Sequence, residues 1–416
     1  MVGRFARTQY SPGLFDVAQD ITGGLPIKLV ERWLESDQTH EDALELLAPH
    51  RVVGFNVVSD SAGLTRLTRE HGLLEILALI NQPKEVVYRV GTAIGGSGVG
   101  IWAADNTQMF YPEQVTTERL LAGLLTIQDE VRRRCHINIG LGAHFGEFYN
   151  VARGLYGEQS DAIEEFAENA TAGGEIAISQ AVRDRLAADS RFELVGRDGA
   201  WSTLGAVYTV VDGPRLADLP DRGGHYPIPY SEEFYADLVA LEGRLGDLAF
   251  AQELTDKYTR ERVVVLIERE SEVADTHEIG LFNNLALSAM MKDAGLRHLK
   301  EEHGDEIKVA GGIGIYTFEE ASRALEFAET FRRELSGDGI HCRIGIDRGP
   351  VLIFRLAGGG SDIAGAPVNF ASKLAQDRGR WGKIYITDRV YEHVDVRGYQ
   401  PITCTVSGVD LYAFEG

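Results

Sequence analysis

Cysteine is scarce in this chain: Cys135, Cys342 and Cys404 are the whole supply in 416 residues, and no two stand at a paired spacing. That leaves no disulfide framework and no zinc signature, and it suits a reducing compartment, so a cytoplasmic protein is expected. Basic charge is short as well, with 41 Lys and Arg against 63 Asp and Glu and a formal net charge of −22. Nucleic acid is therefore not expected as a partner, because neutralising a phosphate backbone needs a basic face. An acidic chain can still hold a single nucleotide at one local basic site. No stretch approaches the ~18 consecutive apolar residues of a membrane span, so no membrane association is expected. The opening MVGRFARTQYSPG has basic residues with no apolar segment behind them, so no signal peptide is expected either. The glycine runs 95–100 and 357–362 lack the Gly-Lys-Ser/Thr that would make a phosphate-cradling Walker loop. The histidines show no metal spacing, and Cys135 beside His136 reads as a core residue rather than a nucleophile.

What is present is internal repetition. GVGIW (98–102) pairs with GIGIY (312–316), and HINIG (136–140) with CRIGI (342–346). YGEQSDAIEEFAE (156–168) pairs with AGAPVNFASKLAQ (364–376), and GGEIAISQAV (173–182) with WGKIYITDRV (381–390). Four pairs in the same order point to two copies of one domain, expected at 51–212 and 260–416. A linker with a helix is expected at 213–259, marked by Pro214, Pro220, Pro227 and Pro229, and a helical extension at 1–50.

Each half alternates strand and helix patterns. RVVGFNVV (51–58) reads as a strand, and residues 65–81 carry apolar side chains at helical spacing. The stretch 86–102, rich in valine and broken by glycine, reads as a hairpin. TTERLLAGLLTIQDEVRRR (116–134) is an amphipathic helix capped by threonine, and HINIGLGAHFGEFY (136–149) reads as a strand with a turn. Residues 231–256 read as one helix with Ser231 as N-cap, and Thr39 to Asp42 as a capping arrangement with Asp in place of Glu. The expected fold class is α+β, two tandem ferredoxin-like βαββαβ domains.

Two segments, SDSAGLTRL (59–67) and DIAGAPVNFASKL (362–374), carry a resemblance to class III adenylate and guanylate cyclase domains. The first is similar to that family's F-x-D-I-x-G-F-T opening, the second to its D-x-x-G-x-x-V-N-x-A-x-R segment. The resemblance implies two domains paired head to tail, as an intramolecular pseudo-heterodimer or a homodimer, with each site shared between them. It also implies a chemistry. The ATP 3′-hydroxyl attacks the α-phosphate while cations bridge nucleophile, phosphate and leaving pyrophosphate.

Carried over residue by residue, Asp60 stands where the family's first metal aspartate stands, as ligand to Mg2+ or Mn2+. Pairing GVGIW with GIGIY puts Gly98 and Gly312 at the second metal aspartate, which leaves at most one metal site. In the second half LIERE offers only Arg269 or a displaced Glu270 for the first aspartate. Lys308 and Asp362 fall at the adenine-selecting positions, while Asn369 and Lys373 fall at the ribose and phosphate positions. Asn369 and Lys373 share a helical face at i and i+4. Lysine keeps the charge there but lacks the bidentate fork of the usual arginine. Ser407 replaces a triphosphate-binding lysine. The first half has Asp161 and Glu165 in place of Asn369 and Lys373, and two acids would repel phosphate. Three readings follow. They are a degenerate cyclase that binds an adenine nucleotide (ATP or cAMP) and signals to a regulatory protein partner, a weak adenylate cyclase, and a ligand-free scaffold.

Overall fold

In the computed structural model, residues 27–416 are described except 64–66, 68–70, 101, 103–105, 152–153, 202, 220–224, 272–273, 358, 396–397 and 407–408. Side chains are further left aside at 27 and 404–412, so the reading of Ser407 lies outside the described residues. The chain divides into two compact units. One is Leu44–Ala251, and the other joins Gln252–Gly416 to the N-terminal residues up to Ala43.

In chain order, α1 (Ile27–Glu35) and α2 (His40–Leu47) precede the first repeat. That repeat runs β1 (Arg51–Ser61), α3 (Leu73–Leu79), α4 (Asn81–Ala93), β2 (Ser97–Val99), β3 (Thr107–Pro112) and α5 (Thr117–Arg134). It continues with β4 (Ile139–Val151), β5 (Gly154–Tyr156), α6 (Glu158–Ala170), β6 (Ile176–Ser179), α7 (Gln180–Arg183), β7 (Glu193–Trp201) and β8 (Gly205–Asp212). Two helices follow, α8 (Glu232–Glu242) and α9 (Leu248–Tyr258). The second repeat runs β9 (Thr259–Arg269), α10 (His277–Glu302), β10 (Asp305–Ala310), β11 (Ile313–Phe318), α11 (Ala321–Gly337), β12 (Cys342–Arg355) and β13 (Ser361–Ala364). It ends with α12 (Ala366–Gln376), β14 (Ile384–Thr387), α13 (Asp388–Tyr391), β15 (Gln400–Val406) and β16 (Val409–Glu415).

The strand order repeats in three dimensions, but register pairs Leu141 with Ile344, three residues away from the HINIG–CRIGI match. The first sheet is ordered β2-β3-β1-β4-β6-β8-β7 with β5 off β4; the second is β10-β11-β9-β12-β14-β16-β15 with β13 off β12. Each unit is an α+β fold with helices on both faces of its sheet. Alternate residues of a central strand therefore enter different cores, which is why these strands read as unbroken apolar runs. Val57 joins Leu121, Leu124 and Leu141 on one face, and Val58 joins Ile163 and Phe166 on the other. In the second unit Val265 packs with Phe327 and Phe331, and Val264 with Ile307, Ile363, Ala371 and Ala375.

Several local expectations are corrected. Val86–Ala93 is helix, part of α4, not hairpin. Its buried Val86, Val87, Val90, Ala93 and Ile94 follow a helical period, and burial on that face overrides the β preference of valine. Residues 139–151 form one unbroken strand. The helix expected at 231–256 is two, α8 and α9, parted where Gly246 takes a left-handed φ of 88°.

The capping readings are realised. The Thr39 hydroxyl accepts from the Asp42 amide at 3.2 Å, and Asp42 accepts from the Thr39 amide at 3.0 Å. Ser231 accepts from Phe234 N at 3.3 Å, and Thr116 from Arg119 N at 3.3 Å. The proline-rich stretch after β8 packs into the first unit. Tyr226 stacks on Trp102 at 5.8 Å and donates to Asn81 Oδ1 at 2.6 Å.

Candidate nucleotide site

Because both sheets share one order, strand register fixes which residues of the two domains correspond. Leu141 of β4 faces Ile176 of β6, and Ile344 of β12 faces Ile384 of β14, so Leu141 and Ile344 are counterparts. Ser59 faces Leu141 while Ile267 faces Ile344, which makes Asp60 the counterpart of Glu268 and Ser61 that of Arg269. The second-half reading of Arg269 or Glu270 is thereby corrected: Glu268 holds the position. Its carboxylate is taken by Arg343, whose Nε donates at 2.8 Å. Asp60, next to last in β1, is half-buried.

The pairing of Gly98 with Gly312 is also corrected. Thr107 of β3 faces Ser59, and Gly314 of β11 faces Ile267, so β3 rather than β2 corresponds to β11. The GVGIW and GIGIY pentapeptides lie on non-equivalent strands. Glycine and apolar residues suit both strands of a hairpin, so the match was one of composition. Two residues before Gly314 is Gly312; two before Thr107 in the sequence is Asp105, which lies outside the described residues. Alternation would have found it. TQMFY (107–111) aligns with GIYTF (314–318) once buried Met109 and Tyr111 are matched to Tyr316 and Phe318.

The four expected nucleotide residues lie on elements of the second unit that share one apolar cluster. Lys308 lies on β10 and Asp362 on β13, strands that approach each other over a shared apolar cluster in which Ile307 meets Ile363. Asn369 and Lys373 lie on α12, which packs against the same cluster through Ala371 and Ala375. A glycine at the start of α12 is required: Gly365 has φ +149°, and a Cβ there would sit 3.1 Å from Pro350 O. Asp362 Oδ1 accepts from the Ile363 amide at 2.8 Å. Lys373 Nζ lies 3.3 Å from Asp377, and Asn369 is exposed.

Register shows what the first unit carries instead. Val99 faces Gln108 as Lys308 faces Ile315, so Val99 replaces Lys308. Gly154 faces Val151 as Asp362 faces Phe354, so Gly154 replaces Asp362. Asp161 and Glu165 stand where Asn369 and Lys373 stand, with Gly157 (φ +122°) before α6 as Gly365 is before α12. Beside them the Glu164 carboxylate accepts from Gln108 at 2.8 Å and from Ser160 at 3.0 Å.

Among the described residues no group of three or more His, Cys, Asp or Glu is placed to hold a metal ion. Of the expected ligands only Asp60 is described, so the described donors do not by themselves make a cation site. Burial pushes the Cys135 thiol up to about 11, and Glu242 and Glu130 add to the effect, which opposes thiolate formation. No helix among the described residues is long and apolar enough to cross a membrane.

No family model matches the chain, and no curated protein sequence matches it. Solved structures do. A class III adenylyl cyclase-like ATP-binding protein from Pseudomonas aeruginosa aligns over 83% of this chain and 85% of its own, at 12% identity and a TM-score of 0.48. The guanylate cyclase domain of RhGC from Catenaria anguillulae, solved with GTP, aligns over 37% of this chain and 94% of its own, at 18% identity and a TM-score of 0.32. The adenylyl cyclase CyaB from P. aeruginosa aligns over 38% of this chain and 93% of its own, at 16% identity and a TM-score of 0.32. In fold, this chain is similar to class III adenylyl and guanylyl cyclase-like proteins.

Proposed function

We propose that this chain is a degenerate class III cyclase that binds one adenine nucleotide and acts in regulation. The observation that carries the reading is the one-sided retention of polar residues. Strand register sets Lys308 and Asp362 of the second domain against Val99 and Gly154 of the first, and the helix match sets Asn369 and Lys373 against Asp161 and Glu165. Lys308 can donate to adenine N1 and Asp362 can accept from the N6 amine. Guanine offers the reverse pattern at that edge, so the pair selects ATP over GTP. Asn369 and Lys373 serve the ribose and phosphates. Asp60 is the residue that would hold a divalent cation, Mg2+ or Mn2+. Calorimetric titration with ATP, GTP and cAMP, with and without each cation, tests the reading. ATP should outcompete GTP about tenfold, and Lys308→Glu with Asp362→Cys should weaken ATP binding at least about tenfold, the equivalent of one or two hydrogen bonds. Unchanged ATP affinity in that double variant would sink the proposal.

A second reading, a slow adenylate cyclase, is favoured by one observation. Counting back two residues in sequence from Thr107 reaches Asp105, a carboxylate that the glycine pairing had not offered. In that reaction the 3′-oxygen of ATP bonds to the α-phosphorus and pyrophosphate leaves. The unaltered chain would then form cAMP with Mn2+, and Asp105→Ala would abolish it while leaving ATP binding in place. No cAMP from the unaltered chain decides for the regulatory reading.

A further inference from the structure

Arg269, the last residue of β9, is 2% exposed. No carboxylate among the described residues pairs with it, and burial lowers its pKa to about 10, so at neutral pH it is still a buried charge. Such a charge is costly unless something satisfies it. Here neutral oxygens meet both terminal nitrogens, while Nε has no hydrogen-bond partner among the described residues. Nη1 donates to Glu270 O at 3.1 Å and Asn284 Oδ1 at 2.9 Å; Nη2 donates to Asn284 O at 2.6 Å, Ser288 Oγ at 3.1 Å and Gly311 O at 3.2 Å. Five oxygens from three segments surround one cation, as ligands surround a bound ion. The first domain has Ser61 at this register.

Those segments include the turn between β10 and β11. Gly311 sits there with a left-handed φ of +57°, and Ser288 also donates to its carbonyl. The Arg269 amide donates to Gly312 O at 2.8 Å, and a Cβ on Gly312 would lie 3.3 Å from Arg269 O. Lys308 is three residues before Gly311, on the strand that this turn terminates and just past a register shift between Glu306 and Lys308. With a bulge on one side of it, the pairing of Lys308 is set from the turn.

We propose that the end of β9 is an oxygen-lined cation cage filled by the chain's own guanidinium, and that Arg269 is a positioning residue that fixes the β10–β11 turn and, through it, Lys308. The link to base selection rests on the adenine-nucleotide reading above; the cage does not. The test is Arg269→Ala in the full chain, read by hydrogen exchange of the amides at 308–312 and by the ATP-to-GTP affinity ratio, with millimolar guanidinium or the same concentration of Na+ added. Exchange at the turn should rise about tenfold and the ATP preference should fall about tenfold, the loss of roughly one hydrogen bond. Guanidinium should restore both and Na+ neither. Arg269→Lys, which keeps the charge but loses the fork, should fall between. Full protection of the turn in Arg269→Ala, or loss that guanidinium does not relieve, overturns the cage. A loosened turn with an unchanged ATP preference overturns the coupling to Lys308. If Arg269→Ala does not fold, Ser288→Ala carries the test: it removes one acceptor, and unchanged exchange at 308–312 overturns the proposal. A chain that binds no ATP at all refutes the nucleotide reading, and the exchange arms still decide the cage.

Discussion

On α12, Asn369 and Lys373 stand one helical turn apart; on α6, at the same register, stand Asp161 and Glu165. The scaffolds beneath are the same: one strand order, one crossover helix and one glycine at its start. A duplicated fold can thus keep its core while the chemistry on one copy is reversed in sign, because the exposed face of the crossover helix takes no part in packing. Scaffold and site are under separate constraints, and either copy can be altered to show it.

The largest expected effect lies in the core. A Cβ on Gly345 of β12 would fall 2.0 Å from Ala371 O of α12, whereas on its counterpart Gly142 it would lie 3.2 Å from the Ala167 and Ile163 side chains. Backbone cannot yield as side chains do. Gly345→Ala should therefore cost about 3 kcal/mol or more and Gly142→Ala about 1 kcal/mol, read as thermal shifts. Equal shifts would break the inference that α12 lies closer to its sheet than α6.

Next comes a difference in pH response at one buried position. His144 and Asp347 are counterparts by register. His144 meets Ser179 at 2.8 Å and Gln159 at 3.1 Å; Asp347 accepts from Thr387 at 2.6 Å and Arg389 at 2.6 Å, with Asp388 nearby. Burial lowers the His144 pKa below its ordinary 6.5. The unfolded chain then binds more protons, so this group's contribution to stability is lost as pH falls below 6.5. Burial pushes Asp347 up to about 6 from an ordinary 3.8, so the folded chain binds more protons between those values, and stability falls as pH rises from 3.8 to about 6. Hydrogen exchange resolved by domain between pH 4 and pH 7 should show slopes of opposite sign. His144→Gln and Asp347→Asn should each flatten one of them. Parallel slopes would refute the assignment.

The smallest effect sharpens the comparison most. Asp161→Asn with Glu165→Lys removes the repulsion in the first domain, yet Val99 and Gly154 still offer no base edge. The number of ATP molecules bound in calorimetry should not change. A second bound ATP would mean that the helix face alone decides occupancy.

Much of this was legible beforehand. The caps at Thr39, Thr116 and Ser231 rest on local chemistry and stand as read, and so does the match of 156–168 to 364–376, anchored by Gly157 and Gly365. The failures share a physical cause. Val86 to Ala93 is rich in β-branched residues, and only the spacing of its buried side chains says helix. GVGIW and GIGIY agree in composition and differ in strand, so Asp105 and Glu268 came to light only through register. Arg269 could not be foreseen, because nothing in LIERE tells that its guanidinium turns inward onto Asn284 and Gly311.

Helix α1 has a consequence for synthesis. Its buried Trp33 stacks on Phe282 at 4.9 Å and donates to Asn283 Oδ1 at 3.3 Å, a partner 250 residues further along the chain. At a ribosomal pace of roughly 5–20 residues per second, α1 emerges roughly 12–50 s before that partner. In the interval Leu44–Ala251 can complete its own fold, while Leu29, Val30, Trp33 and Leu34 have nothing to cover them. The nascent chain therefore carries an uncovered apolar helix until that partner is made. Docking of α1 therefore waits on the synthesis of Phe282 and Asn283.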